Sequence, residues 1–137
     1  MVSKKITGFI AGSWDLLHMG HVLALKDSKA QCDVLIVGLN IDPTRDRPEK
    51  HIPVETAEER MTKLQACRYV DQIISYDTEE GLYNILKELK PDIRFRGGDH
   101  NNGKPFTGDD LQMKIVYLDR SHDHSSSNLI KRIRDNS

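Results

Sequence analysis

Two histidines three residues apart, His18 and His21, stand in the stretch Gly12-Ser13-Trp14-Asp15-Leu16-Leu17-His18-Met19-Gly20-His21, between a short apolar run and a segment of helical period. Residues three apart share one face of a helix. The first turn of a helix carries unpaired N–H groups and a partial positive charge, so the pair is suited to a bound phosphate. Gly20 removes a side chain where a phosphate would approach the backbone, and Gly12 with Ser13 permits a tight exit from the preceding run. On residue chemistry alone, His-X-X-His is equally half of a metal site or a pair of surface side chains. Near the other end, His122 and His124 lie two apart and are followed by Ser125, Ser126 and Ser127. They lack the third and fourth ligands of a structural zinc site and read as a solvated loop.

Elements must exist to position these groups. Short apolar runs alternate with longer segments of helical period, which predicts strands over residues 6–11, 34–39, 72–75, 93–96 and 114–118 and helices over 19–30, 54–67, 79–90 and 126–133. The third helix stops at Lys90 because Pro91 disfavours helix in the residue before it. The alternation and the right-handed crossover rule predict an α/β fold: a Rossmann-like, doubly wound, parallel five-stranded sheet in a three-layer α/β/α arrangement. Residues 40–52 and 97–108 read as long loops, each after the carboxyl end of a strand, the edge where open α/β sheets hold ligands. Arg94 and Arg96 alternate on a strand and so point the same way, onto what reads as a solvated face.

Composition sets the outer bounds. The chain has 137 residues, 20 Lys plus Arg against 21 Asp plus Glu, and a net charge of -1, which fits one domain with no positive surplus for a nucleic-acid partner. No apolar run approaches the roughly 20 residues of a membrane-spanning helix, and the run after Lys4-Lys5 is too short for a secretory signal, so no membrane partner and a cytoplasmic location are expected. Cys32 and Cys67 have neither metal-ligand nor disulfide spacing and read as buried thiols.

The segment from Gly12 to His21 resembles the signature of the cytidylyltransferase-like nucleotidyltransferases, His-X-Gly-His after a Gly-(Thr/Ser)-aromatic-Asp turn. Arg120-Ser121-His122-Asp123-His124-Ser125-Ser126-Ser127 is similar to the family's second signature, Arg-Thr-Glu-Gly-Ile-Ser-Thr-Thr, with Asp123 at its Gly position and His124 at its Ile position. Glu59-Arg60, Tyr69-Val70-Asp71, Pro91-Asp92-Ile93 and Gly97-Gly98-Asp99 resemble further segments, so the likeness spans essentially the whole chain.

The resemblance implies that a phosphate oxygen of a small acceptor attacks the α-phosphorus of a nucleoside triphosphate and releases pyrophosphate, with Mg2+ carried by the triphosphate and no dedicated protein ligands for it. It assigns catalysis to His18, His21, Lys50 and Arg120, and nucleotide binding to Ser13, Trp14, Gly20, Asp99, Ser125, Ser126 and Ser127. Acceptor binding falls to Arg47, Asp15 and Arg60, with Arg45 a further candidate from the same loop as Arg47 and Lys50. The Arg120-Ser121 start is more like glycerol-3-phosphate cytidylyltransferase, whereas Arg96-Gly97-Gly98-Asp99-His100 and Ser127-Asn128 look more like the adenylyltransferase half of heptose-phosphate enzymes. The resulting expectation is one nucleotidyltransferase domain over residues 1–137, a homodimer, moving a nucleotidyl group from CTP to a small phosphorylated polyol. The alternatives are ATP with a sugar phosphate, or a nucleotide-binding module without turnover.

Overall fold

Residues on successive strand positions alternate between two apolar faces, as a parallel sheet covered on both sides requires. The computed structural model describes residues 4–119, 122 and 124–136. In chain order these form β1 (Thr7–Gly12), α1 (Met19–Ala30), β2 (Val34–Asn40), α2 (Ala57–Gln65), β3 (Gln72–Tyr76), α3 (Glu79–Leu89), β4 (Ile93–Gly97), a 3-10 turn (Gly98–His100), β5 (Lys114–Leu118) and α4 (Ser126–Asp135). All neighbouring strands are parallel, in the order β3-β2-β1-β4-β5. This is the expected Rossmann-like sheet. The strand order reverses between β1 and β4, so their carboxyl ends flank the crevice where such sheets take ligands.

Strand alternation divides the core. Ile10, Leu35, Val37, Leu39, Phe95 and Leu118 face one way and pack with Leu25 of α1 and Leu64 of α2. Phe9, Ile36 and Tyr76 face the other way, against Leu82 and Leu86 of α3. Each such large apolar side chain contributes about 1.5–3 kcal/mol on burial. The thiols of Cys32 and Cys67 are free and half-buried against the first cluster.

Two local expectations change. The second helix starts at Ala57 instead of residue 54, because Thr56 closes a capping box: its hydroxyl accepts the Glu59 N–H at 3.1 Å, and the Glu59 carboxylate accepts the Thr56 N–H at 2.8 Å. The face carrying Arg94 is not solvated. Arg94 is 5% exposed, and its guanidinium donates to the Thr107 carbonyl. Arg96 lies 3.8 Å over the Phe106 ring, and the Thr107 hydroxyl donates to Glu79 at 2.7 Å. Residues of β4 and α3 thus hold down the long segment between β4 and β5. Burial, with Arg96 adding to it, pulls the Arg94 guanidinium down to about 10.

The start of β1 is tied to the start of β4 by one carboxylate. Asp92 accepts the Thr7 N–H at 2.9 Å and the Thr7 hydroxyl at 3.1 Å, and these two bonds hold its carboxyl below the ordinary aspartate range. A carboxyl lowered by folding stabilises the fold above its unfolded value, about pH 4, and that stabilisation is lost as pH falls through the folded value. Asp92→Asn is therefore expected to lower stability at pH 7 and to flatten the decline in stability below pH 4, read by urea unfolding across that range. An unchanged acid decline in the variant would contradict this role.

Candidate active site

The chain leaves β1 into a loop with two non-glycine residues in the left-handed region, Trp14 at φ 56° and Leu16 at φ 53°. Several partners keep it there. The buried Trp14 indole donates to the Gly38 carbonyl at 3.0 Å. Asp15 accepts the N–H groups of Val54 and Glu55 at 2.9 and 3.0 Å, and Glu55 accepts the Leu16 N–H at 2.7 Å. Arg60 donates to the carbonyls of Ser13, Asn40 and Ile41 at 2.8, 2.7 and 2.7 Å and to that of Glu55 at 3.2 Å.

The loop delivers His18 to the N-cap of α1, a position usually held by Ser, Thr, Asp or Asn. The His18 Nδ1 accepts the Gly20 N–H at 3.1 Å, and the His21 Nδ1 accepts the His18 N–H at 3.3 Å. The rings stack with centroids 3.8 Å apart, and His21 meets the Trp14 ring edge-on at 5.3 Å. With Nδ1 an acceptor in both rings, each neutral imidazole carries its proton on Nε2. The reciprocal cap thus leaves an N–H, and not a lone pair, at Nε2 of each neutral ring.

A second helix start meets the first. Ser125 caps α4 by accepting the Asn128 N–H at 3.0 Å, and the Ser126 hydroxyl donates to the Asp15 carbonyl at 3.1 Å. A Cβ on Gly20 would lie 2.8 Å from the His124 carbonyl oxygen, 2.9 Å from the His18 Cε1 and 3.1 Å from the His122 Cε1. Glycine is required here so that the segment at 122 and 124 can lie against α1. The starts of α1 and α4, each with its unpaired backbone N–H groups, therefore lie beside one another.

The other expected site residues divide. Arg60 is corrected: it is 2% exposed and its guanidinium is committed to four carbonyls, so it shapes the loops and does not reach an acceptor. Burial pulls its pKa down, opposed by the Asp15, Glu55 and Asp42 carboxylates. Asp15 likewise has both carboxylate oxygens on backbone N–H groups, and Trp14 sits inside the core. Ser13 is half-buried and Ser127 exposed. Arg45 and Arg47 turn to Asp77 and Glu79 beside the start of α3, at 2.7 and 3.5 Å, and Lys50 is exposed in the same loop. Asp99 is exposed in the turn after β4, its carboxylate folded over Gly97. Arg120 lies outside the described residues. From the sequence His122 reads as part of a solvated loop, whereas the structure half-buries it against Gly20; Glu55 carries no local signal in the sequence.

A parallel sheet in this order, with two helix starts meeting beside a pair of Nε2–H imidazoles, defines a nucleotidyltransferase domain. The chain belongs to the cytidylyltransferase-like family, whose profile matches residues 9–132. It is 35% identical over 132 residues to the bifunctional protein HldE of Wolinella succinogenes, covering 96% of this chain and 27% of that protein. It is 35% identical over 127 residues to the bifunctional protein HldE of Helicobacter hepaticus, covering 92% of this chain and 26% of that protein. The chain thus spans about a quarter of the length of these curated relatives. Among solved structures, the lipopolysaccharide core biosynthesis protein from Thermoplasma volcanium GSS1 is similar at 30% identity and a TM-score of 0.70, over 85% of this chain and 98% of that one. Pantothenate synthetase from Thermus thermophilus shares the fold at 14% identity and a TM-score of 0.55, over 82% of this chain and 55% of that one.

Arg60→Leu would leave four carbonyls from three separate segments without their donor. It is expected to destabilise the fold by about 2–4 kcal/mol, measured by chemical denaturation. A variant as stable as the wild type would show that these bonds do not hold the loops.

Proposed function

We propose that this domain transfers an adenylyl group from ATP to the phosphate of a small phosphorylated sugar and releases pyrophosphate. The observation that carries nucleotidyl transfer is the convergence of the α1 and α4 starts on His18 and His21, both with Nε2–H donors. The choice of ATP and a sugar phosphate draws on the residues that resemble heptose-phosphate adenylyltransferases, Arg96 to His100 and Ser127-Asn128. It also draws on the solved relative at 30% identity, whose name refers to the lipopolysaccharide core, a saccharide. A second reading, CTP with a polyol phosphate such as glycerol 3-phosphate, rests on the Arg120-Ser121 start of the last signature.

In the reaction an acceptor phosphate oxygen attacks the α-phosphorus. The bond from that phosphorus to the oxygen bridging to the β-phosphorus breaks, and its electron pair leaves with pyrophosphate. A phosphate monoester has a second pKa near 6, so the nucleophile arrives largely as a dianion and needs no general base. The site must supply donors aimed at charge that builds up on the phosphoryl oxygens. His18, His21 and the two helix starts do so, with Ser125 and Ser126 holding the second start in place. The substrate is the Mg2+ salt of the triphosphate. The donor set at the helix starts is rich in N–H and suits phosphate oxygens, while both Asp15 oxygens are already taken.

Arg47 is assigned to the acceptor phosphate. Its exposed pair with Glu79, 3.5 Å long, is worth under about 1 kcal/mol, so an incoming phosphate displaces it at little cost. Lys50, with Arg120, is assigned to the triphosphate, and Ser13, Asp99 and Ser127 to the nucleoside side of the cleft. Residues 1–137 are taken to act as one nucleotidyltransferase domain, as a homodimer, in the cytoplasm where nucleoside triphosphates are made and used. Sedimentation tests the dimer.

The direct test pairs each of the four ribonucleoside triphosphates, with Mg2+, against sugar and polyol phosphates and follows pyrophosphate release. ATP with a sugar phosphate is the expected productive pair; CTP with a polyol phosphate would establish the second reading, and no release with any pair would leave a binding module. His18→Ala and His21→Ala are each expected to lower turnover by about a hundredfold or more. His18→Asn keeps a capping acceptor but lacks the Nε2–H, so its turnover should fall while its helix cap survives. Near-normal turnover in all three would refute the role of the pair.

A further inference from the structure

We propose that His122 is a third imidazole donor of the triphosphate seat, holding the β- and γ-phosphates that depart as pyrophosphate. The proposal rests on the triphosphate reading above and adds a residue to it. The His122 Cε1 lies within 3.1 Å, and the His18 Cε1 within 2.9 Å, of the same point above Gly20, where a side chain would stand. The two rings therefore meet over the first turn of α1, one from its own N-cap and the other from the segment that precedes α4. The His122 Nδ1 accepts the His124 N–H at 3.2 Å, which places the ring proton of a neutral His122 on Nε2. This repeats in the second signature the tautomer that the reciprocal cap imposes in the first. Among the described residues that Nε2–H meets no acceptor, although the ring is half-buried. A half-buried donor beside two helix starts is matched to an anion that arrives there.

Chemistry at this position also differs from the family pattern. In Arg-Thr-Glu-Gly-Ile-Ser-Thr-Thr the corresponding residue is an acid, which repels phosphate; here it is an imidazole, which donates to phosphate. The ring also borders a groove with Leu23, Ala24, Asp27, Leu118 and Asp119, so packing there is the competing role.

Variants separate donor from filler. His122→Phe keeps a ring against Gly20 and removes the donor, whereas His122→Gln returns an N–H near the position of Nε2. Titration calorimetry with inorganic pyrophosphate and Mg2+, repeated with ATP, gives the affinities, and thermal unfolding monitors the fold. The expected result is about tenfold weaker binding of both ligands by His122→Phe, the scale of one hydrogen bond to a charged group, and binding within about threefold of wild type by His122→Gln, with Tm unchanged. Equal affinity in wild type and His122→Phe would overturn the proposal, as would a loss that His122→Gln fails to restore; either outcome leaves the triphosphate seat standing. Wild-type protein that binds neither pyrophosphate nor any nucleoside triphosphate would overturn the seat and the role of His122 with it.

Discussion

A loop held in a backbone conformation that its own residues disfavour underlies the whole site. Trp14 and Leu16 occupy the left-handed region without being glycine, at a cost of order 1–2 kcal/mol each. The offset comes from elsewhere: the Trp14 indole on Gly38, the Asp15 carboxylate on residues 54 and 55, the Glu55 carboxylate on Leu16, and the Arg60 guanidinium on Ser13. Lys63 in turn pairs with Glu55 at 2.7 Å. Helix α2 thus acts as a buttress. Through Arg60 it aims the chain so that His18 becomes the N-cap of α1.

Once the loop is set, the rest follows by satisfaction of donors. The α1 start has unpaired N–H groups, and two of the backbone N–H groups there fall to imidazole Nδ1 atoms. The α4 start comes alongside because Gly20 leaves room for the His124 carbonyl and Ser126 bonds the Asp15 carbonyl. Three of the cations have partners of their own: Arg45 and Arg47 pair with Asp77 and Glu79, and Arg94 is buried on the α3 face of the sheet. The proposed triphosphate seat is thus compatible with a chain of net charge -1. Under the proposed reading the attraction is local, made of helix dipoles, neutral N–H donors and a few exposed cations, and owes little to the net charge of the protein.

Much of this is legible in the amino-acid sequence. Alternating apolar runs predict every strand and helix, since burial on both faces leaves little freedom in composition. The spacing of His18, Gly20 and His21 marks the first helix start. The Thr56/Glu59 capping box is also written in the chain, though apolar Val54 carries the expected helix past it. What could not be read is non-local. Arg60 looks like any exposed helical arginine until residues 13, 40, 41 and 55 bring their carbonyls to it. The shared direction of Arg94 and Arg96 follows from strand geometry, but their shelter depends on Phe106 and Thr107, more than ten residues downstream. The His122 ring looks idle in sequence because Gly20, its neighbour in space, is a hundred residues away.

The reciprocal histidine cap ties two properties that enzymes ordinarily keep apart. Serine, threonine, aspartate or asparagine would cap α1 at least as well. Drift toward greater thermal resistance would thus push position 18 away from histidine, and each such exchange would remove an imidazole N–H from the cleft. Because the two rings stack with centroids 3.8 Å apart, a change at either position removes a packing partner of the other ring. In this helix start, robustness and chemistry draw on the same two imidazoles, so neither can be improved by trial at these positions without a visible loss in the other.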